Sequence, residues 1–258
     1  MKKLICIFGM ASVLFSADAQ ELLKLTGSEK VLNVQNLVGN PDGSVSYISE
    51  GKKKITVPGK AYDYAWVPMP KEIAEADLIL NSKDFPKAEK LYSAAYNKYK
   101  LLGWDVYCTM KRAQILAEEN RLSDALAFLE PLQSFQALNP EVQKHVMEAQ
   151  IYYSRLLIQS GDLKKAAAYT ENMLKSPDDN TVFHGFLNQG DLAVLDHRKK
   201  KAVRCYLQAV FLFTTHPDRP VVLYKAANLL KEMKDDRWKN LAEMLKKKYP
   251  DSEYSKKI

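Results

Sequence analysis

Apolar and polar residues alternate with the two-residue period of a β-strand through much of the region between residues 25 and 67. Val45 and Tyr47 alternate with serines, for example, and glycine, proline and asparagine separate the alternating runs. The pattern predicts a small antiparallel meander with one buried face and strands within residues 30–38, 44–49 and 53–57. Two or three strands are marginally stable alone, so we expect this sheet to pack against helices.

Three aromatic residues, Tyr62, Tyr64 and Trp66, alternate at the end of this β-rich region. The more common fate of such a stripe is burial, and we expect it to pack against the first helices. The alternative is an exposed platform on which the rings of a glycan stack. The two interpretations differ in whether the stripe is accessible.

The chain changes character after Pro70 and begins to repeat. Four segments with similar composition end on an alanine, and the alanines are 37, 41 and 36 residues apart: Ala88, Ala125, Ala166 and Ala202. A small residue lies twelve positions before each alanine: Ala76, Ala113, Ser154 and Gly190. Small side chains at fixed positions let two helices of a hairpin approach closely, so the spacing predicts repeated helical hairpins.

The region from about Lys71 to Tyr254 resembles the tetratricopeptide repeat (TPR) family, which has small residues at positions 8, 20 and 27 and aromatic residues at 17 and 24. The first unit carries this pattern at Ala76, Phe85, Ala88, Tyr92 and Ala95, and the fourth at Gly190, Ala202, Tyr206 and Ala209. The second, third and fifth units depart from it, which leaves their register open. The resemblance implies a mainly α fold, an α-α superhelix of about five hairpins. A non-repetitive helical bundle is the alternative.

The first nineteen residues are typical of a signal peptide. Lys2 and Lys3 precede an apolar run over residues 4–15, and Ala17 and Ala19 form an A-x-A cleavage pattern. The run is shorter than the ~20 residues that span a bilayer, which argues against the alternative of a lasting anchor. The sequence therefore predicts a signal peptide at 1–19, a β-rich segment at 20–67 and a helical solenoid at 68–258. We expect an exported protein, periplasmic or secreted, without a transmembrane segment after cleavage.

Removing Lys2, Lys3 and Asp18 with the signal peptide changes the formal net charge from +7 to +6. The basic residues form short clusters at 52–54, 198–201 and 246–248. Each is most simply a solvated surface, but an anionic glycan, a lipid headgroup or an acidic peptide is a plausible partner. We do not expect nucleic acid as a partner, because no recognition motif accompanies the charge.

The sequence carries no motif for catalysis, a metal or a cofactor. Its four histidines lie far apart and lack a second ligand at metal-binding spacing, and no phosphate-binding loop or nucleophile elbow is present. Cys108 and Cys205 fall in different units, too far apart for a disulfide, and we expect both to be buried. The sequence therefore favours a binding protein over an enzyme.

The resemblance implies that the first helix of each unit lines a concave groove at positions 2, 5, 9, 12 and 13. Polar and aromatic residues occupy many of these positions: Tyr107, Gln114, Glu118, Glu148, Arg155, Gln159, His184, Asp191, Tyr224 and Asn228. Such a mixed surface suits a peptide or protein partner. We therefore expect an adaptor or scaffold, with a role in cell-envelope assembly; the alternative is a glycan-binding or surface-polymer-binding accessory protein that uses the aromatic stripe.

Overall fold

The computed structural model describes residues 20–258, and the predicted signal peptide at 1–19 lies outside the described residues. The described chain begins with five antiparallel strands: β1 Glu21–Leu25, β2 Val31–Gly39, β3 Val45–Ile48, β4 Lys54–Val57 and β5 Tyr62–Trp66. They form one sheet in the order β4-β3-β2-β1-β5. The predicted small antiparallel sheet is therefore confirmed.

The sequence predicts β2, β3 and β4 but neither β1 nor β5. β1 reads Glu-Leu-Leu-Lys-Leu, a run of good helix formers, and pairing with β2 on one side and β5 on the other makes it a strand. Its central residue, Leu23, is fully buried. β5 is the aromatic stripe itself, which completes the sheet beside β1.

Eleven α-helices follow the sheet within the described residues. Their bounds are α1 Lys71–Asn81, α2 Phe85–Tyr99, α3 Asp105–Glu118, α4 Leu122–Leu129, α5 Pro140–Gln159, α6 Leu163–Met173, α7 Asp179–Leu195, α8 Lys199–Leu212, α9 Arg219–Glu232, α10 Arg237–Lys248 and α11 Glu253–Lys257. Helices α1 to α10 pair in sequence as five hairpins, and each hairpin packs against the next. The predicted mainly α solenoid of five hairpins is confirmed.

One backbone feature recurs in all five hairpins and fixes their register. The residue two positions after the end of each first helix has a positive φ: Lys83, Asn120, Gly161, His197 and Lys234. A residue in this left-handed region ends a helix and turns the chain sharply, and glycine adopts it at the least cost. Because only the third unit uses glycine, the recurring turn is hard to see in the sequence.

The sheet is attached to the first hairpins through buried contacts. Leu23 and Val45 belong to the same core as Ile73 in α1 and Tyr92 in α2. The indole Nε1 of Trp104 donates to the carbonyl of Val67 at 2.9 Å and so ties the start of α3 to the end of the sheet. The β-rich segment is therefore packed on one end of the solenoid.

Close approach of the two helices in a hairpin explains the small residues that repeat along the sequence. A Cβ atom added to Gly190 in α7 would lie only 2.2 Å from Cε1 of Tyr206 in α8. Ala76 and Tyr92, at the equivalent positions of the first hairpin, are both fully buried. Cys108 and Cys205 are also buried, one in α3 and one in α8, and both are free.

We expect Gly190→Ala to destabilise the protein. The clash with the Tyr206 ring costs roughly 3 kcal/mol, against ~1 kcal/mol that alanine gains over glycine in a helix, so the net loss is about 2 kcal/mol. Urea unfolding of the mature chain measures it. Gly51→Ala is the control: its added Cβ meets no atom within 4 Å, and its effect should stay within about 0.5 kcal/mol. Equal stability of the two variants would contradict the close approach.

Candidate functional site: the inner wall of the helical repeats

A groove of about 460 Å³ opens along the first helices of the last three units. Residues from α5, α7 and α9 line it, and they include Ile158, Asp191, Val194, Leu195, Tyr224 and Asn228. Val194 and Leu195 are exposed, at 38% and 49%. Three non-consecutive helices therefore share one surface with an accessible apolar centre.

The polar part of this groove is built around Asp191. The Tyr206 hydroxyl donates to Oδ1 of Asp191 at 2.6 Å, and Lys225 Nζ lies 2.7 Å from both carboxylate oxygens. Burial, followed by the charge of Asp191, raises the pKa of Tyr206, so the phenol stays protonated as a donor. Lys225 from α9 thus balances the charge of the carboxylate, and Tyr206 from α8 adds a hydrogen bond to it.

The same arrangement occurs at the other end of the solenoid, around Asp77. Tyr92 Oη donates to Oδ1 of Asp77 at 2.5 Å, and Lys111 Nζ lies 3.9 Å from the same oxygen. Tyr107 adds a further hydroxyl, at 2.9 and 2.8 Å from the two carboxylate oxygens. The Asp, Tyr and Lys keep the same spacing in both copies, 15 and then 19 residues. The sequence analysis named Asp191 as a groove residue but missed Asp77, Lys111 and Lys225, although the repeated spacing could have revealed them.

A third polar cluster joins α5, α7 and the residue before α9. Arg155 Nη2 lies 3.0 Å from Nδ1 of His184 and 3.3 Å from Oδ2 of Asp218. His184 Nε2 is 3.5 Å from the same oxygen of Asp218. Burial, and then the positive charge of Arg155, lowers the pKa of His184 to about 3, so this ring is neutral at ordinary pH.

The structure separates the ten predicted groove residues into accessible and enclosed ones. Asp191, Tyr224 and Asn228 line the groove together. Glu118, Glu148 and Gln159 are exposed, whereas Gln114 and Arg155 are half-buried. Tyr107 and His184 are enclosed, since they are only 8% and 4% exposed and their polar atoms are held by Asp77 and by Arg155. Partner binding by any of the ten residues stays a prediction.

The apolar centre of the groove was not among the predicted site residues. Ile158 and Val194 occupy position 12 of their units and Leu195 occupies position 13, both of which the TPR resemblance assigns to the inner wall. The predicted groove residues are the polar and aromatic ones at such positions. The sequence signal for the apolar centre is an apolar residue at a position that the TPR resemblance places on the inner wall, where it is expected to face solvent.

The aromatic stripe of β5 is half-buried at all three positions. The Tyr62 hydroxyl donates to the carbonyl of Gly43 at 3.0 Å, and its ring packs on the core shared by the sheet and the first helices. Trp66 packs against the next core along the chain, where its Nε1 is enclosed. Packing therefore occupies Tyr62 and Trp66, and glycan stacking on the stripe stays a prediction.

Residues 20–258 bring no group of three His, Cys, Asp or Glu side chains together in a way that could hold a metal ion. Over the same residues, every helix is too short or too polar to cross a lipid bilayer. The polar clusters of the inner wall are each held by hydrogen bonds and ion pairs between helices. Their arrangement suits binding of a partner through the surface between them.

The chain is similar in structure to three solved proteins over 72% of its length. The apo form of RapI matches with a TM-score of 0.54 and 15% identity, and the pilus biogenesis factor PilW with 0.52 and 14%. The Rap conjugation gene regulator of plasmid pLS20, in complex with the Phr* peptide, matches with 0.53 and 16%. These matches cover 55% of each Rap chain and 80% of PilW, so this chain spans about half the length of the Rap proteins.

The matched structures are TPR-like repeat proteins. The helical part of this chain has the TPR fold. No protein-family model and no curated protein sequence matches the chain. The likeness therefore confirms the fold that the small residues and their spacing predicted, and the TPR inner wall corresponds to the surface formed by α5, α7 and α9.

We expect the stability of this TPR fold to decrease as pH falls from about 6.5 to about 3. His184 has an unfolded pKa near 6.5 and a folded pKa of about 3. The unfolded chain therefore binds a proton that the folded chain excludes, and His184 contributes at most about 1.4 kcal/mol per pH unit over this window. Burial also lowers the pKa of His216, which acts in the same direction.

The measurement is the free energy of unfolding of the mature chain in urea at several pH values, compared with a His184→Gln variant. Glutamine lacks the titrating ring, so the variant should show a shallower decline with acid. NMR titration of the His184 ring provides a direct check. A ring that titrates near pH 6.5 in the folded protein would contradict its enclosure.

Proposed function

We propose that this chain is an exported adaptor that holds a peptide or protein partner in the groove between α5, α7 and α9. The observation that carries the proposal is the accessible apolar centre of this groove, made by Ile158, Val194 and Leu195. Exposed apolar side chains that cluster in a concave surface with a polar rim are typical of an interaction site.

The rim of the groove carries both charges, and each is paired. Lys225 is bound to Asp191, and Lys199 Nζ lies 3.1 Å from Oε2 of Glu232. Because the charges neutralise each other, a simple anion or cation gains little there. The surface suits an extended peptide or a helix that places an apolar side chain in the centre and hydrogen-bonds to groups such as Asn228 at the edge.

The similar structures support binding rather than catalysis. One of them, the Rap regulator of plasmid pLS20, is in complex with a peptide, and another, PilW, is a type IV pilus biogenesis factor. TPR repeats are typically scaffolds without enzymatic activity. We extend this to the present chain as a proposal: it binds a protein partner and carries out no reaction of its own.

Residues 1–19 support export, and with it a role in assembly at the cell envelope. Cleavage before Gln20 is compatible with the fold, since the first described strand begins at Glu21. Every described strand and helix is thus kept in the mature chain. The partner is then a periplasmic or surface protein, and the sheet at the end of the solenoid is available as a second contact surface.

We expect Leu195→Glu to abolish partner capture. A carboxylate in the apolar centre must be desolvated when the partner binds, which should weaken binding at least about tenfold. The test immobilises the mature chain, captures proteins from the envelope extract of its own cells and quantifies them by mass spectrometry.

The matched control for this experiment is Val38→Glu. Val38 lies on β2, is 53% exposed and belongs to the sheet rather than to the groove. The control should capture the same protein as the unchanged chain. If Leu195→Glu captures that protein equally well, the groove is not the binding surface.

We expect the protein recovered from cells to begin at Gln20. N-terminal sequencing and intact mass of the purified protein give the start directly. Replacing Ala17 and Ala19 by arginine should block cleavage and leave the precursor in the membrane fraction, because the signal peptidase requires small residues there. A chain that retains residues 1–19 in the unaltered protein would contradict export by this route.

A further inference from the structure

A second groove, of about 550 Å³, lies on the outer side of the solenoid along α8. Its apolar residues, Val203, Leu207 and Phe211, are spaced four apart and therefore form one row along the helix. Leu212 extends the apolar surface at the end of α8. Phe211 and Leu212 are 54% and 64% exposed, so half or more of each side chain has no contact within the described residues.

A row of basic residues runs beside the apolar row. Lys200 and Arg204 are again four apart on α8, and both are exposed. Within residues 20–258, neither has a carboxylate within ion-pair distance. Arg237, at the start of α10, adds a third cation on the other side and is paired with Asp235. Among the described residues no carboxylate lines the groove, so it is apolar along its floor and positive at its edge.

This surface differs from the inner-wall groove in position and in charge. The inner groove is lined mainly by the first helices of the units, whereas this one is formed by α8 and α10, the second helices of units four and five. In the inner groove Lys199 and Lys225 are matched by Glu232 and Asp191. The outer groove has an unmatched positive charge, which favours an acidic partner.

The length and shape of the groove define the partner further. From Lys200 to Leu212 α8 rises about 18 Å, which matches roughly three turns of a second helix. Val203 forms part of the floor and is only 6% exposed, whereas Phe211 and Leu212 project at the other end of α8, so the groove has a buried floor at one end and exposed apolar side chains at the other. A partner helix can place its own apolar side chains against this floor and beside the two exposed residues.

We infer that the groove along α8 binds an amphipathic helix of a partner protein whose apolar face is flanked by Asp or Glu. Leucine-type side chains of that helix pack beside Phe211 and Leu207, and its carboxylates pair with Lys200 and Arg204. The inference does not depend on the inner-wall groove. A partner could occupy one surface while the other remains open, and α8 then connects both through its buried residues such as Tyr206.

The experiment measures binding of a fluorescein-labelled synthetic helix of about 14 residues to the mature chain by fluorescence anisotropy. The probe carries leucines at helical spacing and flanking glutamates, and a second peptide has glutamine in place of each glutamate. We expect the glutamate peptide to bind at least about tenfold more tightly, and its affinity to fall as salt rises.

Two double variants test where the peptide binds. Phe211→Ser with Leu212→Ser removes the apolar surface, and Lys200→Glu with Arg204→Glu reverses the charge; each should raise Kd at least about tenfold. Lys246→Glu with Lys247→Glu is the matched charge control on exposed residues of α10, and Leu195→Glu is the inner-wall control; both should bind as the unchanged chain does. Circular dichroism checks that every variant is folded.

Other occupants give different results. Binding to phosphatidylglycerol vesicles that is lost in the serine variant, with no preference for the glutamate peptide, would identify a lipid surface and overturn the inference. A concentration-dependent dimer that the serine variant abolishes would identify a second copy of this chain and overturn it as well. Equal binding of the glutamate and glutamine peptides, or binding that is unchanged in both double variants, would also contradict the inference.

Discussion

The close packing of two helices within each hairpin is the constraint on which the rest of this structure depends. In the fourth unit the backbone of Gly190 lies against the ring of Tyr206, and any side chain at that position would occupy the same space. In the first unit Ala76 and Tyr92 hold the equivalent positions, both without exposed surface. This contact sets the distance between the helices, and the distance in turn decides which side chains can meet across the inner wall.

The aromatic ring in that contact also has a polar end, and it organises the inner wall. Each tyrosine donates its hydroxyl to the aspartate that follows the small residue, and a lysine from the next unit approaches the same carboxylate. One residue from each of three successive helices thus meets at one carboxylate, which links a hairpin to its neighbour. The aspartate and lysine charges of the inner wall are therefore largely paired with each other. What is left for a partner at the inner wall is the apolar surface around Val194 and Leu195 and the hydrogen-bonding groups at its edge.

Sequence and structure agree where a local rule is strong. Ala88, Ala125, Ala166 and Ala202 gave the period, and the five hairpins follow it. Four of the five hairpin turns lack a glycine signal, because their left-handed residues are Lys, Asn or His. β1 was missed for a related reason: its residues favour a helix, and only its two neighbouring strands make it a strand. At the site, Asp191, Tyr224 and Asn228 line one groove, whereas Tyr107 and His184 are enclosed by groups far away in sequence.

The sequence by itself determined the repeat, the β-rich segment before it, the charge pattern and the predicted signal peptide, because each of these is written in residues close together along the chain. The tertiary structure alone decided which inner-wall residues are accessible, which carboxylates are neutralised and where apolar side chains remain uncovered. Those properties depend on contacts between residues that are far apart in the sequence. Asp191 and Lys225 are 34 residues apart, and Arg155 and Asp218 are 63 residues apart. A periodic pattern says which face of a helix turns inward. Only the packed neighbours decide whether a side chain on that face reaches solvent, an ion-pair partner or another ring.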